Sequence, residues 1–434
     1  MHGWRKYNMD EKELALDAIR EKLIGKKLSY KEIYAIMDEI AHNRLGDVLT
    51  TYFAASGYSK GFTNEELYSL TKAMVETGEK LHFRGIVADK HSIGGVPGTR
   101  TTLILVPILA AAGFTIPKSS SRAITTPDGT ADDMEVMAKV EFSEKEIYEI
   151  VKKVGGCIVW GGSFHIAPAD DILIHVEQPL SFESYDKIIV SIMAKKVAFG
   201  SNHVVIDMPY GPSLKLQKAS DAKLLAEKFR YIARKFAIKI SVYIHEMHEP
   251  AGRGIGPILE CRESLRVLEQ STDRPLDLEK HAIQLAGMLL DLCVSSCPAR
   301  IQNKAKKKFA SGEKWAQYLL QNGKALAKMK EIIGAQGGNP QITSQLLDLR
   351  LGMHTKKITA PKNGTITEIN SKNSTAIAKI LGAPMEKGSG IYLDKKVGNS
   401  IKKGETVYTM YSETLYNLKE AEESLANFPI LEIK

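Results

Sequence analysis

The residues best suited to chemistry in this 434-residue chain are crowded into Asp89-Lys90-His91-Ser92-Ile93-Gly94-Gly95-Val96-Pro97-Gly98. Glycines at 94, 95 and 98 let backbone N–H groups come close to an anion, because no Cβ stands in the way. Lys90 supplies a point charge, and Ser92, Thr101 and Thr102 supply hydroxyl donors. A helix starting near Thr99 would add unpaired N–H groups and the positive end of its dipole. The spacing is neither a Walker A loop nor a dinucleotide fingerprint. Taken alone, it predicts an oxyanion site on a strand-to-helix turn, or simply a tight turn.

A second polar stretch runs Ser119-Ser120-Ser121-Arg122-Ala123-Ile124-Thr125-Thr126-Pro127-Asp128-Gly129-Thr130-Ala131-Asp132. It reads either as a second wall of the same site or as a solvated loop ended by a Thr130 cap. Loops at the carboxyl ends of neighbouring strands in an open α/β sheet line one crevice, which favours the first reading.

The elements that must position these loops follow from periodicity. Residues 11 to about 80 carry apolar residues at helical spacing, as in Ile33-Ile36-Met37-Ile40, and Thr63 to Glu66 fits a capping box. After about residue 80, short apolar strands appear at Gly85–Asp89, Thr115–Lys118, His203–Asp207 and Lys239–Ile244, with helical stretches such as Ala219–Phe236 between them. Alternation of this kind predicts an α/β layer with a mostly parallel sheet. From about 353 onward, Ile358–Ile366, Ile391–Leu393 and Val407–Met410 read as strands of a small C-terminal α+β domain. The expected division is a helical domain over 1–80, an α/β domain over 81–174 and 203–352, and a C-terminal domain over 353–434.

Composition sets the broad class. Hydrophobic content of 44%, charged content of 25% and a net charge of +8 suit a soluble globular protein with two or three domains. The basic run Lys304-Ala305-Lys306-Lys307-Lys308 lacks interleaved aromatics, so it is read as a charged helix face and no nucleic-acid partner is expected. Cys157, Cys261, Cys293 and Cys297 form no zinc or redox spacing, so reduced thiols in a cytoplasmic protein are expected. The N-terminus has no apolar signal region, and no stretch is long enough to cross a membrane. His245-Glu246-Met247-His248 lacks the zincin spacing, and no metal is expected.

Lys90-His91-Ser92-Ile93-Gly94-Gly95, Ser121-Arg122-Ala123-Ile124-Thr125 and Gly129-Thr130-Ala131-Asp132 together resemble the thymidine and pyrimidine-nucleoside phosphorylase family. The branch they resemble most holds the archaeal AMP phosphorylases and bacterial relatives described as thymidine phosphorylases. Gly155–Gly162, Ala167-Pro168-Ala169-Asp170-Asp171 and Ser191-Ile192-Met193-Ala194-Lys195-Lys196 extend the likeness, which runs from about residue 15 to the end. The resemblance implies a helical domain that also takes about 175–202 from mid-chain. It implies phosphate on the α/β domain, base on the helical domain across a cleft, and a homodimer or larger assembly. The implied reaction is phosphorolysis of an N-glycosidic bond, with inorganic phosphate as co-substrate and no cofactor. For a nucleoside 5′-monophosphate it gives free base and ribose 1,5-bisphosphate. The alternative is a thymidine or pyrimidine nucleoside phosphorylase giving a pentose 1-phosphate.

Roles carry over by position. Lys90, Ser92, Gly94, Gly95, Thr102, Ser120 and Thr130 match phosphate-binding positions, Thr102 only through a one-residue gap. Gly95, Ser121, Arg122, Ala123, Ile124, Thr125, Thr126, Thr130, Ser191, Lys195 and Lys215 match substrate-binding positions. Lys90 and Glu183 are the expected catalytic residues. Glu183 falls where the AMP phosphorylases have an Asp proton donor, one methylene shorter. Val176, beside His175, falls where the thymidine enzymes place an Arg against the pyrimidine. The archaeal enzymes also carry an N-terminal domain ahead of the helical one. A phosphoribosyltransferase of related fold and a non-catalytic nucleotide-binding protein remain open. The first would need a Gly-Thr-Gly-Gly-Asp type loop, which this sequence lacks.

Overall fold

The computed structural model describes residues 9–93, 95–124, 126–164, 166–177 and 184–434. Four helices come first: α1 (Met9–Leu23), α2 (Tyr30–Ala41), α3 (Gly46–Lys60) and α4 (Asn64–Glu76). Strands and helices then alternate through β1 (Ala88–Ser92), α5 (Thr102–Ala111), β2 (Ile116–Ser120), α6 (Thr130–Glu135), α7 (Glu144–Val154) and β3 (Gly156–Trp160). Two helices, α8 (Pro168–Glu177) and α9 (Tyr185–Ala198), interrupt the alternation. It resumes with β4 (His203–Tyr210), α10 (Ala219–Lys235) and β5 (Lys239–Glu246). Next come β6 (Gly254–Ile255), α11 (Pro257–Glu269), α12 (Leu276–Val294), α13 (Ala299–Phe309), α14 (Gly312–Gln321), α15 (Lys324–Ala335) and α16 (Ser344–Asp348). The chain ends with β7 (His354–Thr359), β8 (Gly364–Ile369), α17 (Ser371–Ile380), β9 (Gly390–Leu393), β10 (Ser400–Ile401), β11 (Thr406–Ser412), α18 (Leu415–Ser424) and β12 (Leu431–Ile433).

The chain divides into two compact units. The first takes the chain up to Arg84, Gly161–Asn202 and Leu224–Lys239, and is helical. Its helices start where side chains can satisfy the first-turn amides. Ser29 and Thr63 each close a capping box, with Glu32 and Glu66 respectively. The α2 stripe Ile33, Ile36, Met37 and Ile40 is fully buried, as a 3.6-residue period demands. Glu66 also accepts from buried Lys22 at 2.8 Å, tying α1 to α4.

The second unit takes Gly85–Trp160, His203–Lys223 and everything from Ile240 on. β1 pairs in parallel with β4, and β2 with β3, while the bridge Val87–Thr115 joins the two sets. With β5 beyond β4, the strand order is β3-β2-β1-β4-β5. The order reverses between β1 and β4. In an open α/β sheet that reversal opens a crevice at the strands' carboxyl ends. β1 ends at Ser92, whose register partner on β4 is Asp207. β6 leaves the α/β layer to join the antiparallel sheet β6-β9-β11-β7, and Ile255 shares a core with Ile391, Leu393 and Met410. The C-terminal strands are thus part of the second unit.

Helix α13, which carries the basic run, buries none of its residues, as a charged face should. All four cysteines are free. Among the described residues, no helix is long and apolar enough to cross a membrane.

Candidate active site

The strand β1 reaches further than its apolar residues suggested. It runs through Ser92, because pairing with β4 continues to Asp207. Lys90 and Ser92 therefore sit two apart on a strand and share one face of it. The Lys90 ammonium, only 3% exposed, donates to Ser92 Oγ and to Thr101 Oγ1 at 2.8 Å. Ser92 Oγ in turn donates to Asp207 Oδ2 at 2.6 Å. Two imidazoles complete the cluster: His245 Nε2 is 2.9 Å from Asp207 Oδ1, and His281 Nε2 is 3.3 Å from Oδ2. Burial pushes the Asp207 carboxyl up, but the bonds to both histidines and the charge of Lys90 hold it well below its ordinary value.

Ser120 ends β2, next to β1. Its Oγ is buried and has no hydrogen-bond partner among the described residues. A buried hydroxyl in that state costs about 1–3 kcal/mol. It marks a place where a ligand would be the missing partner. Thr102, one residue past Thr101, is buried at the first position of α5, so Thr101 holds the Lys90 contact.

The two loops are fastened together by Arg100. Its guanidinium meets Asp128, Asp133 at 2.6 Å and Glu260 at 2.9 Å. Glu260 also accepts from the Gly98 amide at 2.8 Å. Three buried carboxyls thus share one fixed cation. Burial, reinforced by neighbouring carboxylates, pushes Asp128 and Glu260 each up to about 8 despite Arg100. Asp133 is raised well above the usual range, again by burial first.

Gly98 and Gly129 are required by space. A Cβ on Gly98, at φ +72°, would lie 2.8 Å from Gly254 O, and one on Gly129 would lie 2.2 Å from Ser121 O. Asp132 Oδ2 accepts from the amides of Ala123 at 2.7 Å and Gly129 at 2.8 Å, and so shapes the Ser121–Thr130 loop. Arg122 is engaged in holding that loop: it pairs with Asp132, Glu135 and Glu141 and lies 4.9 Å above the Trp160 ring. Ile124 is exposed, its carbonyl accepts from Lys379 at 3.2 Å, and Thr126 Oγ1 donates to Asp128 O at 2.6 Å. Ser121 is exposed, Ala123 half-buried, and Thr130 opens α6. Gly95 has φ +57°, and Lys215 is half-buried in the turn after β4. Gly94, Thr125 and Glu183 lie outside the described residues.

In the helical unit, Ser191 and Lys195 are one turn apart on α9 and converge on Asp170 of α8. Ser191 Oγ donates to Asp170 Oδ2 at 2.7 Å, and Lys195 Nζ lies 2.6 Å from the same oxygen. Burial would raise Asp170, but Lys195 brings its carboxyl below the ordinary value. Burial would lower Lys195, and Asp170 raises it instead. An ammonium and a hydroxyl held on a buried carboxylate form a fixed donor pair. His175 is exposed on α8, and Val176 beside it is buried.

The matches to known proteins agree with this arrangement. Residues 16–78 match the helical bundle domain of the glycosyl transferase family, and residues 84–326 match its a/b domain. Residues 365–429 match the pyrimidine nucleoside phosphorylase C-terminal domain. The chain belongs to the pyrimidine nucleoside phosphorylase family. Within that family it falls in the branch of the AMP phosphorylases. It is 40% identical to the AMP phosphorylase of Methanococcus vannielii over 95% of its own length and 79% of that protein. It is 42% identical to the AMP phosphorylase of Methanosarcina barkeri over 93% of its length and 78% of that protein. AMP phosphorylase 1 of Archaeoglobus fulgidus is 40% identical, with the same coverage as the first. A solved anthranilate phosphoribosyltransferase from Thermus thermophilus shares the fold, with a TM-score of 0.60 and 16% identity, over 74% of this chain and all of that one. As a pyrimidine nucleoside phosphorylase family member, the chain is an enzyme of the pentosyl-transferring phosphorylase type.

Sequence reasoning did not single out Asp170, Asp207, Arg100 or the pairing of His245 with His281. Asp170 lay in a quoted motif, and its place in the first turn of α8 was a usable signal. Asp207 and His281 are 74 residues apart and meet only through the fold.

Proposed function

We propose that this chain cleaves the N-glycosidic bond of a nucleoside 5′-monophosphate, AMP first, with inorganic phosphate as the second substrate. The bond from C1′ to the base nitrogen breaks, a phosphate oxygen bonds to C1′, and the base leaves with a proton. The products are free base and ribose 1,5-bisphosphate. The observation that carries the reaction is that Lys90 and Ser92, bonded to each other on β1, and the unpartnered Ser120 hydroxyl at the end of β2 lie on neighbouring strands beside the switch point. Such groups bind a phosphate by charge and directed donors. The choice of a monophosphate rests on the names of the relatives at 40–42% identity.

The residues fall into separate tasks. Lys90, Ser92 and Ser120 hold the attacking phosphate, with Thr130 at the start of α6 as a further donor. Ser191 and Lys195, held on Asp170, meet the leaving base. Negative charge grows on that base as the bond stretches, and prepared donors stabilise it where it appears. Glu183 is assigned the proton. A homodimer and a cytoplasmic location belong to the same reading.

The test is to incubate the protein with phosphate and, separately, AMP, CMP, UMP, thymidine and uridine, and to measure free base by chromatography. Phosphate-dependent release of adenine from AMP is expected. Release from thymidine and uridine alone would move the substrate to the nucleosides.

A further inference from the structure

The cluster around Asp207 holds more nitrogen than a phosphate site needs. Ser92 Oγ and Lys90 already provide the carboxylate with a hydrogen bond and a counter-charge. His245 and His281 nevertheless bring their Nε2 atoms to the same carboxylate, at 2.9 and 3.3 Å. One ligand atom from each of the three residues lies within 4.8 Å of the others. Metal–ligand bonds of about 2.0–2.2 Å put neighbouring ligand atoms roughly 2.9–3.5 Å apart. The carboxylate-to-histidine spacings fall inside that range.

We infer that Asp207, His245 and His281 form a binding site for a divalent transition-metal ion, zinc being the first candidate. Two imidazoles and one carboxylate are a ligand set for zinc, manganese or iron, and a poor one for calcium or magnesium. The ligands sit on β4, β5 and α12, so rigid elements hold them. The His245 ring is fixed in plane by Tyr243, stacked at 4.5 Å, whose hydroxyl donates to Gln284 at 3.0 Å. Outer contacts of this kind orient metal ligands. Both histidines line a cavity of about 360 Å³, together with Tyr243, Glu246, Lys280 and Gln284, which gives an ion a way in. Three protein ligands beside a cavity leave coordination positions for a small ligand. His248, three residues past His245, is not part of the set: it is exposed and faces Glu246 at 3.4 Å.

The other group of converging acids, Asp128, Asp133 and Glu260, is already filled by the Arg100 guanidinium. Among the described residues, no cation side chain stands between Asp207, His245 and His281 in that way; Lys90 is 4.0 Å off, on the Oδ2 side. Charge then suggests a role, and this step alone rests on the phosphate reading above. Lys90 and Asp207 cancel, so a divalent ion leaves the cluster at +2. That is the complement of a phosphate dianion beside Ser92.

The test uses the whole protein, stripped with a chelator and exchanged into phosphate-free buffer. Zn²⁺ is titrated by calorimetry, and Co²⁺ by its visible absorption. One ion per chain with a Kd in the micromolar range or tighter is expected. His245→Ala and His281→Ala should each weaken binding at least about 100-fold, while His248→Ala should bind as the parent does. His281→Gln, closer in size, covers the case in which an alanine variant melts early by circular dichroism. Absence of stoichiometric binding, or binding that survives both histidine changes, would overturn the site. Adding phosphate to the Co²⁺ form should shift its spectrum; an unshifted spectrum would discard the phosphate role. The zinc titration contains no nucleotide, so its outcome is independent of whether the chain cleaves AMP.

Discussion

An ammonium held at 3% exposure against two hydroxyls has lost most of its water, and Lys90 is in that position. A phosphate oxygen would accept a charged hydrogen bond from it. Charged hydrogen bonds of this kind contribute about 1.5–3 kcal/mol. Lys90→Ala should therefore lower kcat/KM for phosphate roughly 10- to 150-fold in steady-state assays. Retention of parental kcat/KM would remove Lys90 from the site. Ser120 makes a sharper test, because its effects on stability and binding should separate. Its hydroxyl is buried and unpartnered, so Ser120→Ala should leave the melting temperature of the phosphate-free protein unchanged or raise it. The same change should raise the KM for phosphate by roughly 2- to 10-fold, the worth of a neutral hydrogen bond. A loss of stability with no change in KM would make Ser120 a packing residue.

Elements decide whether such residues meet. Lys90 and Ser92 are legible as residues, but the strand signal Gly85–Asp89 stops short of them and places them in a loop. Pairing with β4 carries the strand through Ser92, and nothing local encodes a partner 115 residues away. The helical periods and the Thr63–Glu66 capping box are readable in the sequence, because their physics is confined to one or two turns. Arg122, at a position that matches substrate binding, also pairs with Asp132, Glu135 and Glu141 and so clamps the Ser121–Thr130 loop. Loop shape has a direct test at Gly129. A methyl there would sit 2.2 Å from Ser121 O, against backbone that cannot swing aside like a flexible side chain. Gly129→Ala should cost about 1–3 kcal/mol, the usual range for overpacking, measured by urea denaturation. It should also raise the KM for phosphate, because Ser120 and Thr130 flank that loop.

On the scale of the whole second unit, Arg100 binds the β1–α5 loop, the Asp128 loop and α11 into one piece. Asp128 and Glu260 keep their protons up to about pH 8 in the fold. In the unfolded chain they release them near pH 4. Between those limits the folded state holds more protons, so raising the pH works against folding. Each retained proton contributes a slope of up to about 1.4 kcal/mol per pH unit. The contribution of Asp128 and Glu260 to stability should fall from about pH 4 to about pH 8. The sign is opposite to that of an acid held ionised by a salt bridge, and it is not legible in the sequence: three acids at 128, 133 and 260 look solvated until the fold buries them around a single arginine. Urea midpoints across pH 5–9 measure the effect. Asp128→Asn keeps the shape and removes one titrating proton, so its profile should be flatter than the parent's. A parent profile that rises through this window would mean that the carboxyls are ionised in the fold, and that Arg100 is not the limit on how much charge this unit can hold.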